Sequence, residues 1–172
     1  MTVPLEAFVS LNRLHFTKMS RNIAMKLTKL IYTSSMSDKC NLNEIDNILT
    51  EAIQRNTSTN ITGVLYYSNR YFFQCLEGEN KDVEEVFALI EKDKRHTNIM
   101  IVEKAPIATR QFGEWAMAYI LQSPLLIPIH QRLMSSTEFD PRLMTPDNAN
   151  LLLEELKNYL PKAYLATLQE LS

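Results

Sequence analysis

The chain has few of the residues on which nucleotide loops, metal sites and disulfide frameworks depend. Its 172 residues include only three glycines, and neither GxGxxG nor GxxxxGKS/T occurs, so a Rossmann or P-loop nucleotide site is not supported. The two cysteines form no disulfide or metal framework. The three histidines lie far apart in the sequence and lack metal-ligand spacing.

Long apolar runs and strong charge of either sign are also lacking. Every apolar stretch falls short of the roughly 18 residues expected of a membrane-spanning helix, and the N-terminal segment lacks the features of a secretory signal. The net charge of -2 gives no general attraction to nucleic acid or anionic lipid. We therefore expect a reducing, cytoplasmic setting, no membrane association and no direct binding of nucleic acid.

What the chain does have is the patterning of an α+β protein. It is 45% hydrophobic and 22% charged, as globular proteins are. Apolar periodicity predicts strands at 28–34, 60–67, 70–77, 99–107 and about 112–121, and helices at about 41–55 and 80–92. The order β-α-β-β-α-β-β, with two helices on one face of a mixed five-stranded sheet, predicts a ferredoxin-like sandwich with one strand added.

The region after the fifth strand is punctuated by proline. A capping signal that begins at Thr145 predicts an amphipathic helix to about Tyr159, and a short final helix follows Pro161. The outer face of the sheet is predicted to carry Tyr66, Tyr71 and Phe73. Because an apolar face of this size needs covering, we expect the C-terminal helices to pack on it.

The predicted strand at 70–77 contains a single amide, Gln74, among apolar and aromatic neighbours. An unpaired buried amide costs roughly 1–3 kcal/mol, so Gln74 must find partners. The sheet face that meets the two helices is predicted to carry Tyr32, Ser34, Ile61, Leu65, Phe72 and Gln74. Gln74 either braces a packed core by pairing with Tyr32 or holds a ligand, and the residues alone leave both interpretations open.

Polar groups at the ends of the two helices form a second candidate cluster. Asn56 is predicted to close the first helix as a C-cap; together with Arg55 it could instead recognise a planar ring edge and a phosphate. Asp93, Arg95 and His96 follow the second helix, where a charge run is usually a solvated face. Both helix ends lie on one side of the sandwich, so these groups could also meet at the mouth of an inter-helix cleft.

The single tryptophan, Trp115, lies two residues before Met117 in the predicted fifth strand. Strand alternation predicts that both side chains lie on the same face of the sheet. Taken alone, both are ordinary core residues.

Five separated sequence blocks resemble BLUF domains, which are blue-light sensors that hold a non-covalent flavin. The blocks are LIYTS around Tyr32, RN at 55–56, NITGVLYYSNRYFFQCLEG around Gln74, KDKRHTN around His96 and PIATRQFGEWAMAY around Trp115. The resemblance divides the chain into an N-terminal extension (1–26), a flavin-binding domain (27–121) and a C-terminal helical extension (122–172). The last part is similar, more loosely, to the tail of short stand-alone BLUF proteins.

The resemblance implies FAD as the cofactor, with FMN possible, and a role for each matched residue. Tyr32 would donate an electron and a proton, and Gln74 would bridge Tyr32 and the N5/O4 edge of the flavin. Trp115 and Met117 would exchange places near Gln74 during signalling. The other implied flavin contacts are Ser34 near Gln74, Asn56 at the polar edge of the ring, Leu65 and Phe72 along the ring, Asp93, Arg95 and His96 beside the ring or the ribityl-phosphate end, and Arg55 at the phosphate.

The resemblance thus implies a light switch without enzymatic turnover. The fifth strand and C-terminal helices would signal to an unidentified partner protein, and we expect a homo-oligomer. One alternative is a flavin-free ferredoxin-like interaction module. A second is an RNA-binding module, which needs exposed aromatics such as Tyr71 and Phe73 and a basic surface that the charge does not favour. A third is a small enzyme with Tyr32 or His96 as acid or base.

Overall fold

The computed structural model describes residues 26–170. The predicted N-terminal extension lies outside them apart from Lys26. The strands are β1 (Leu27–Met36), β2 (Thr62–Tyr67), β3 (Tyr71–Glu79), β4 (His96–Ile107) and β5 (Ala118–Leu121). The α-helices are α1 (Leu42–Ser58), α2 (Asn80–Glu91), α3 (Ile127–Met134) and α4 (Pro146–Glu170), and two short 3₁₀ turns span Pro124–Leu126 and Pro141–Leu143.

The five strands form one mixed sheet in the order β4-β1-β3-β2-β5. The first four strands are antiparallel to their neighbours, and β5 lies parallel to β2 as the added edge strand. The predicted ferredoxin-like sandwich with one extra strand is therefore confirmed. In this register Gln74 of β3 is paired with Tyr32 of β1 on one side and with Leu65 of β2 on the other.

Helix α1 begins where the sequence predicts but ends later. The side chain of Asn41 caps it by accepting a backbone N–H from the first turn at 3.1 Å. The helix continues to Ser58 because the N–H of Thr59 still reaches the carbonyl of Arg55, at 3.0 Å. The prediction that Asn56 is the C-cap is therefore wrong, because the C-cap residue is Thr59.

Both α1 and α2 pack on the same face of the sheet. Their apolar stripes, with Ile45 and Leu49 from α1 and Val86 and Ile90 from α2, are buried against it. Between the helices and the sheet lies a layer that includes Leu30, Tyr32, Ile61, Leu65, Phe72, Leu76 and Met117. The alternation predicted for β3 is confirmed, because Phe72 and Leu76 lie in this layer and Phe73 and Cys75 lie in the opposite one.

The opposite face of the sheet is covered by α3, α4 and the segments around them, as predicted. Tyr66, Tyr71 and Phe73 are buried in this outer core. The Tyr66 hydroxyl lies 2.7 Å from Nε2 of the fully buried His130 on α3, and its ring packs edge-on against Phe139 at 4.6 Å. A buried polar contact thus joins strand β2 to the first C-terminal helix.

Helix α4 begins at the predicted cap, where the Thr145 hydroxyl accepts the Asn148 N–H at 3.3 Å. Two helices separated near Pro161 were predicted, and this is wrong, since one helix spans Pro146–Glu170. Proline in a helix interior removes one backbone hydrogen bond and crowds the carbonyl four residues earlier, at a cost of about 3 kcal/mol, so packing must offset this cost. The turns before it are held on the sheet by buried leucines such as Leu152 and Leu156.

The fifth strand is shorter than predicted. Only Ala118–Leu121 pairs along β2, and the residues from Phe112 to Met117 are irregular except for a bridge at Trp115. The physical reason lies in β3, where the buried carboxylate of Glu77 accepts the N–H groups of Gln111 and Phe112, each at 2.9 Å. Those backbone groups are satisfied without a strand partner.

Candidate functional site

The centre of the site is a row of three hydrogen-bonded side chains on the helix-facing side of the sheet. The Tyr32 hydroxyl donates to Oε1 of Gln74, and Nε2 of Gln74 donates to the sulfur of Met117 at 3.4 Å. All three side chains are at least 95% buried. The phenol donates here but could also accept, whereas the thioether can only accept, so Met117 is the partner that fixes the orientation of the amide.

Tyr32 is a neutral phenol throughout the physiological range. Burial raises its pKa well above the usual value, and the nearby charge of Arg55 offsets this only in part. Its ring meets the ring of Phe87 edge-on, with centroids 5.3 Å apart. The hydroxyl proton therefore stays on Tyr32 in the resting protein, in the hydrogen bond to Gln74.

His96 and Ser34 form a second buried pair beside this row. The Ser34 hydroxyl lies 2.8 Å from Nδ1 of His96, and the imidazole packs on the Phe72 ring with centroids 4.6 Å apart. Burial lowers the pKa of His96 from 6.5 to about 4, although the Asp93 carboxylate opposes that shift. His96 is therefore a neutral imidazole near pH 7. Ser34 bonds to His96, one pleat away from Gln74.

Arg55 and Asn56, near the end of α1, each leave a buried polar atom without a partner among residues 26–170. These atoms are Nε of Arg55 and Oδ1 of Asn56. The Asn56 amide is itself fully buried and donates through Nδ2 to the carbonyl of Ala116 at 2.8 Å. Because a buried unpaired acceptor or donor costs roughly 1–3 kcal/mol, both atoms fit a site that receives a polar molecule.

The charged run after α2 is arranged around Arg95. Its guanidinium contacts the carboxylates of Asp93 at 2.7 Å, Glu51 at 2.6 Å and Glu44 at 3.6 Å. The two glutamates belong to α1, so Arg95 ties that helix to the turn before β4. Three carboxylates neutralise the cation, and Arg95 is consequently a weaker anchor for a phosphate than an unpaired guanidinium would be.

Trp115 and Met117 lie on opposite sides of the sheet, and the prediction that they share a face is wrong. Met117 is fully buried beside Gln74. Trp115 is only partly buried and packs against the outer core. The chain is irregular between them, so strand alternation does not apply. The structure thus has the methionine at the amide and the tryptophan outside.

Sequence reasoning missed Glu77 and Arg110. Arg110 donates to the carbonyls of Glu77 and Asn60, both at 2.7 Å, and to the Thr62 hydroxyl at 3.0 Å. Glu77 is only 1% exposed. One signal was available in the sequence: Glu77 directly follows the apolar run of β3. A carboxylate at such a position is expected to be buried, and a buried charge must be paired.

The buried phenol, the oriented amide and the unpartnered polar atoms near them suit a flat cofactor with polar edges. A family model described as "BLUF: Sensors of blue-light using FAD" matches residues 27–118. The chain belongs to the BLUF family of blue-light sensors, whose members bind a flavin.

Known relatives and a solved structure agree with this assignment. The chain is 34% identical to photoactivated adenylate cyclase subunit alpha of Euglena gracilis over 94 residues, which is 54% of this chain and 9% of the relative. It is 36% identical to the blue light- and temperature-regulated antirepressor BluF of Escherichia coli K12 over 93 residues, 53% of this chain and 23% of the relative. The ground-state structure of BlsA matches with a TM-score of 0.71 and 37% identity, over 76% of this chain and 87% of that one.

The coverage shows which part is shared. The chain spans less than a quarter of the two curated relatives, but most of the BlsA chain. The similarity to the two curated relatives is therefore confined to a small part of each, whereas the similarity to BlsA extends over most of that chain. Within residues 26–170, no helix is long and apolar enough to cross a membrane, and no cluster of three or more potential metal-ligating side chains occurs.

Proposed function

We propose that this chain is a blue-light switch in which Tyr32 and Gln74 make the primary change and the Trp115–Met117 segment transmits it. One observation carries the proposal. The Gln74 amide is held between a phenol that donates to it and a thioether that accepts from it. If the amide reversed, Tyr32 would have to accept a hydrogen bond from the amide nitrogen, and Met117 would face the amide oxygen, to which it cannot donate.

A flavin would be held between the two helices and the sheet, and FAD is our proposal because the family is described as using it. The unpartnered Oδ1 of Asn56 would accept from the polar edge of the ring, and Arg55 would approach the phosphates. His96 and Ser34 would lie beside the ring. Leu65 and Phe72 would line the ring, with Asp93 and Arg95 at the ribityl-phosphate end.

The bound flavin supplies a ring that absorbs blue light and becomes a strong oxidant when excited. Tyr32 is the donor that the structure favours, because its neutral phenol is already hydrogen-bonded to Oε1 of Gln74. Transfer of an electron from the phenol to the excited ring would make the phenol proton strongly acidic, and Oε1 of Gln74 is aligned to receive that proton. Return of both electron and proton restores Tyr32 and leaves Gln74 able to settle in its other orientation.

The reversed amide would be mismatched with Met117. The oxygen of Gln74 would then face a thioether, which has no hydrogen to donate. The indole N–H of Trp115 is a donor and would satisfy that oxygen. The amide orientation thus determines whether Met117 or Trp115 is the better neighbour, and exchange of the two would carry the signal along β5 to the C-terminal helices.

The output of this switch is proposed to be a contact with a downstream partner protein or a rearrangement of a homo-oligomer. The E. coli relative is described as an antirepressor, which supports action through another protein. Helices α3 and α4 cover the sheet face opposite the flavin side, and they are the surface through which we expect the signal to leave. Cys40 and Cys75 are both free thiols, which accords with a reducing, cytoplasmic setting.

An absorption spectrum before and after blue illumination tests the proposal. The purified chain should be yellow, should shift reversibly to the red in the light, and should release FAD on heating. Release of FMN would correct the cofactor but not the mechanism. A colourless protein that stays colourless after flavin is added would refute the proposal and favour the flavin-free interaction module.

The covered outer face of the sheet argues against the RNA-binding alternative. Binding of RNA by such a module needs aromatic side chains on an open sheet face. Here Tyr71 is 6% exposed and Phe73 is fully buried beneath the C-terminal helices.

We propose residues 27–121 as the sensing unit and the helical extension from 122 onward as its cover.

A further inference from the structure

The buried carboxylate of Glu77 takes no part in the switch described above, yet both of its oxygens accept hydrogen bonds. Its Oε1 accepts the N–H of Gln111 and its Oε2 accepts the N–H of Phe112, both at 2.9 Å. The Thr62 hydroxyl is a further, longer contact at 3.5 Å. One side chain of β3 thus binds two successive backbone groups of the segment that crosses from β4 to β5.

Arg110 fastens the same segment from the other direction. Its guanidinium donates to the carbonyl of Glu77, to the carbonyl of Asn60 and to the Thr62 hydroxyl. The pair therefore joins the crossing segment to the end of β3 and the start of β2. We call Glu77 and Arg110, with the backbone groups of 111 and 112, the loop anchor.

The loop anchor lies just upstream of the residues that are proposed to move. Phe112 is fully buried, and its carbonyl accepts the Trp115 N–H at 3.1 Å. The Trp115 carbonyl in turn accepts the N–H of Gly63 at 3.2 Å. Only Gly113 and Glu114 separate the two attachment points, so the position of Trp115 depends directly on where Phe112 is held.

We propose that Glu77 is a positioning residue, which through the loop anchor keeps Trp115 on the outer side and Met117 against Gln74. An exchange of the two side chains requires the backbone between 112 and 117 to turn over or slide, and the anchor resists both movements. Glu77 would thereby favour the resting arrangement over the signalling one. The importance of this preference for light sensing rests on the proposed function. The preference for Trp115 outside and Met117 against Gln74 can be tested without it.

Glu77→Gln is the direct test, because an amide of the same size has only one acceptor oxygen for the two N–H groups. Trp115 is the only tryptophan, so indole fluorescence in the dark reports on this segment alone. We expect acrylamide quenching and the emission maximum of Trp115 to change in Glu77→Gln. The matched control is Glu79→Gln, which removes the same charge from an exposed position two residues along β3.

The photocycle provides a second measurement on the same proteins. Glu77→Gln should retain the full light-induced red shift, because Tyr32 and Gln74 are untouched, while the rate of recovery in the dark changes by up to roughly fivefold, the equivalent of one net hydrogen bond. Unchanged Trp115 quenching in Glu77→Gln, or an equal change in Glu79→Gln, would overturn the proposal. Trp115 quenching is measured in the dark and does not depend on a light response. A protein without a light-induced red shift would therefore contradict the proposed function but would still allow the positioning role of Glu77 to be tested.

If Glu77→Gln does not fold, Arg110→Lys decides the matter. Lysine keeps the charge but cannot reproduce the three contacts of the guanidinium fork. We expect the same direction of change in Trp115 quenching, with flavin binding preserved. Quenching identical to that of the unmodified chain would contradict the positioning role.

Discussion

Gln74 donates to the sulfur of Met117 at 3.4 Å, and this contact selects one of two amide orientations that are otherwise nearly equal in shape. Reversal of the amide would place two acceptors, the Gln74 oxygen and the thioether, against each other. The same reversal would turn the amide nitrogen toward the Tyr32 hydroxyl. The resting state is therefore defined by hydrogen-bond direction and not by packing volume.

Removal of the Tyr32 hydroxyl should separate cofactor binding from photochemistry. Tyr32→Phe keeps the ring that packs on Phe87 but loses the donor to Gln74. We expect bound flavin, and no red shift after blue illumination. Tyr67→Phe, at a half-buried tyrosine of β2, is the control and should respond normally. A red shift of normal size in Tyr32→Phe would contradict the donor role.

Replacement of the amide itself should abolish the switch. Gln74→Leu is similar in size, but it has neither a donor for Met117 nor an acceptor for Tyr32. We expect flavin to remain bound and the reversible red shift to be lost. Gln54→Leu, on α1, is the control for the same chemical change at an exposed position. A normal light-induced shift in the Gln74 variant would refute the amide mechanism.

Asn56 should matter for both stability and flavin affinity. Asn56→Ala leaves the buried Ala116 carbonyl without its donor, for which we expect a loss of about 1–3 kcal/mol in the free energy of unfolding. It also removes the Oδ1 proposed to contact the flavin, so the affinity for flavin should fall. Urea unfolding and flavin titration measure the two effects. Asn47→Ala, exposed on the same helix, should change neither quantity.

His96 should make the protein less stable in mild acid. Its pKa is about 4 in the folded protein and 6.5 when unfolded, so the unfolded chain binds the proton more readily between these values. Stability should be fully present above pH 6.5 and should fall as pH drops toward 4, by about 3 kcal/mol from this residue. Urea unfolding across that range should show a flatter profile for His96→Gln. Parallel profiles for the two proteins would contradict the assignment.

The sequence predicted the fold correctly wherever the apolar residues of a segment recur with the period of a strand or a helix. The strands β1 to β4 and the apolar stripes of α1 and α2 follow from periodicity. The need of a buried amide for partners predicted either Tyr32 or a ligand beside Gln74, and the sequence alone did not choose between them. The covering of Tyr66, Tyr71 and Phe73 by the C-terminal helices followed from the cost of leaving them exposed.

The errors arose where side chains and backbone groups replace regular pairing. The apolar residues around Trp115 predicted a long strand, but Glu77 takes the backbone N–H groups that a strand would have used. Asn56 is a frequent C-cap residue, but its amide is bound 60 positions along the chain, to Ala116. Such long-range contacts leave no periodic signal in a single sequence.

The contact between Tyr66 and His130 should couple the sheet to the C-terminal helices. Tyr66→Phe keeps the packing on Phe139 but leaves the buried Nε2 of His130 without its partner, at a cost of about 1–3 kcal/mol. We expect faster amide hydrogen exchange in α3 and α4, with flavin binding and the red shift retained. The neighbouring Tyr67→Phe variant should exchange as the unmodified chain does. If exchange in α3 is the same in all three proteins, this hydrogen bond does not hold the helices on the sheet, and the signal must leave by another contact.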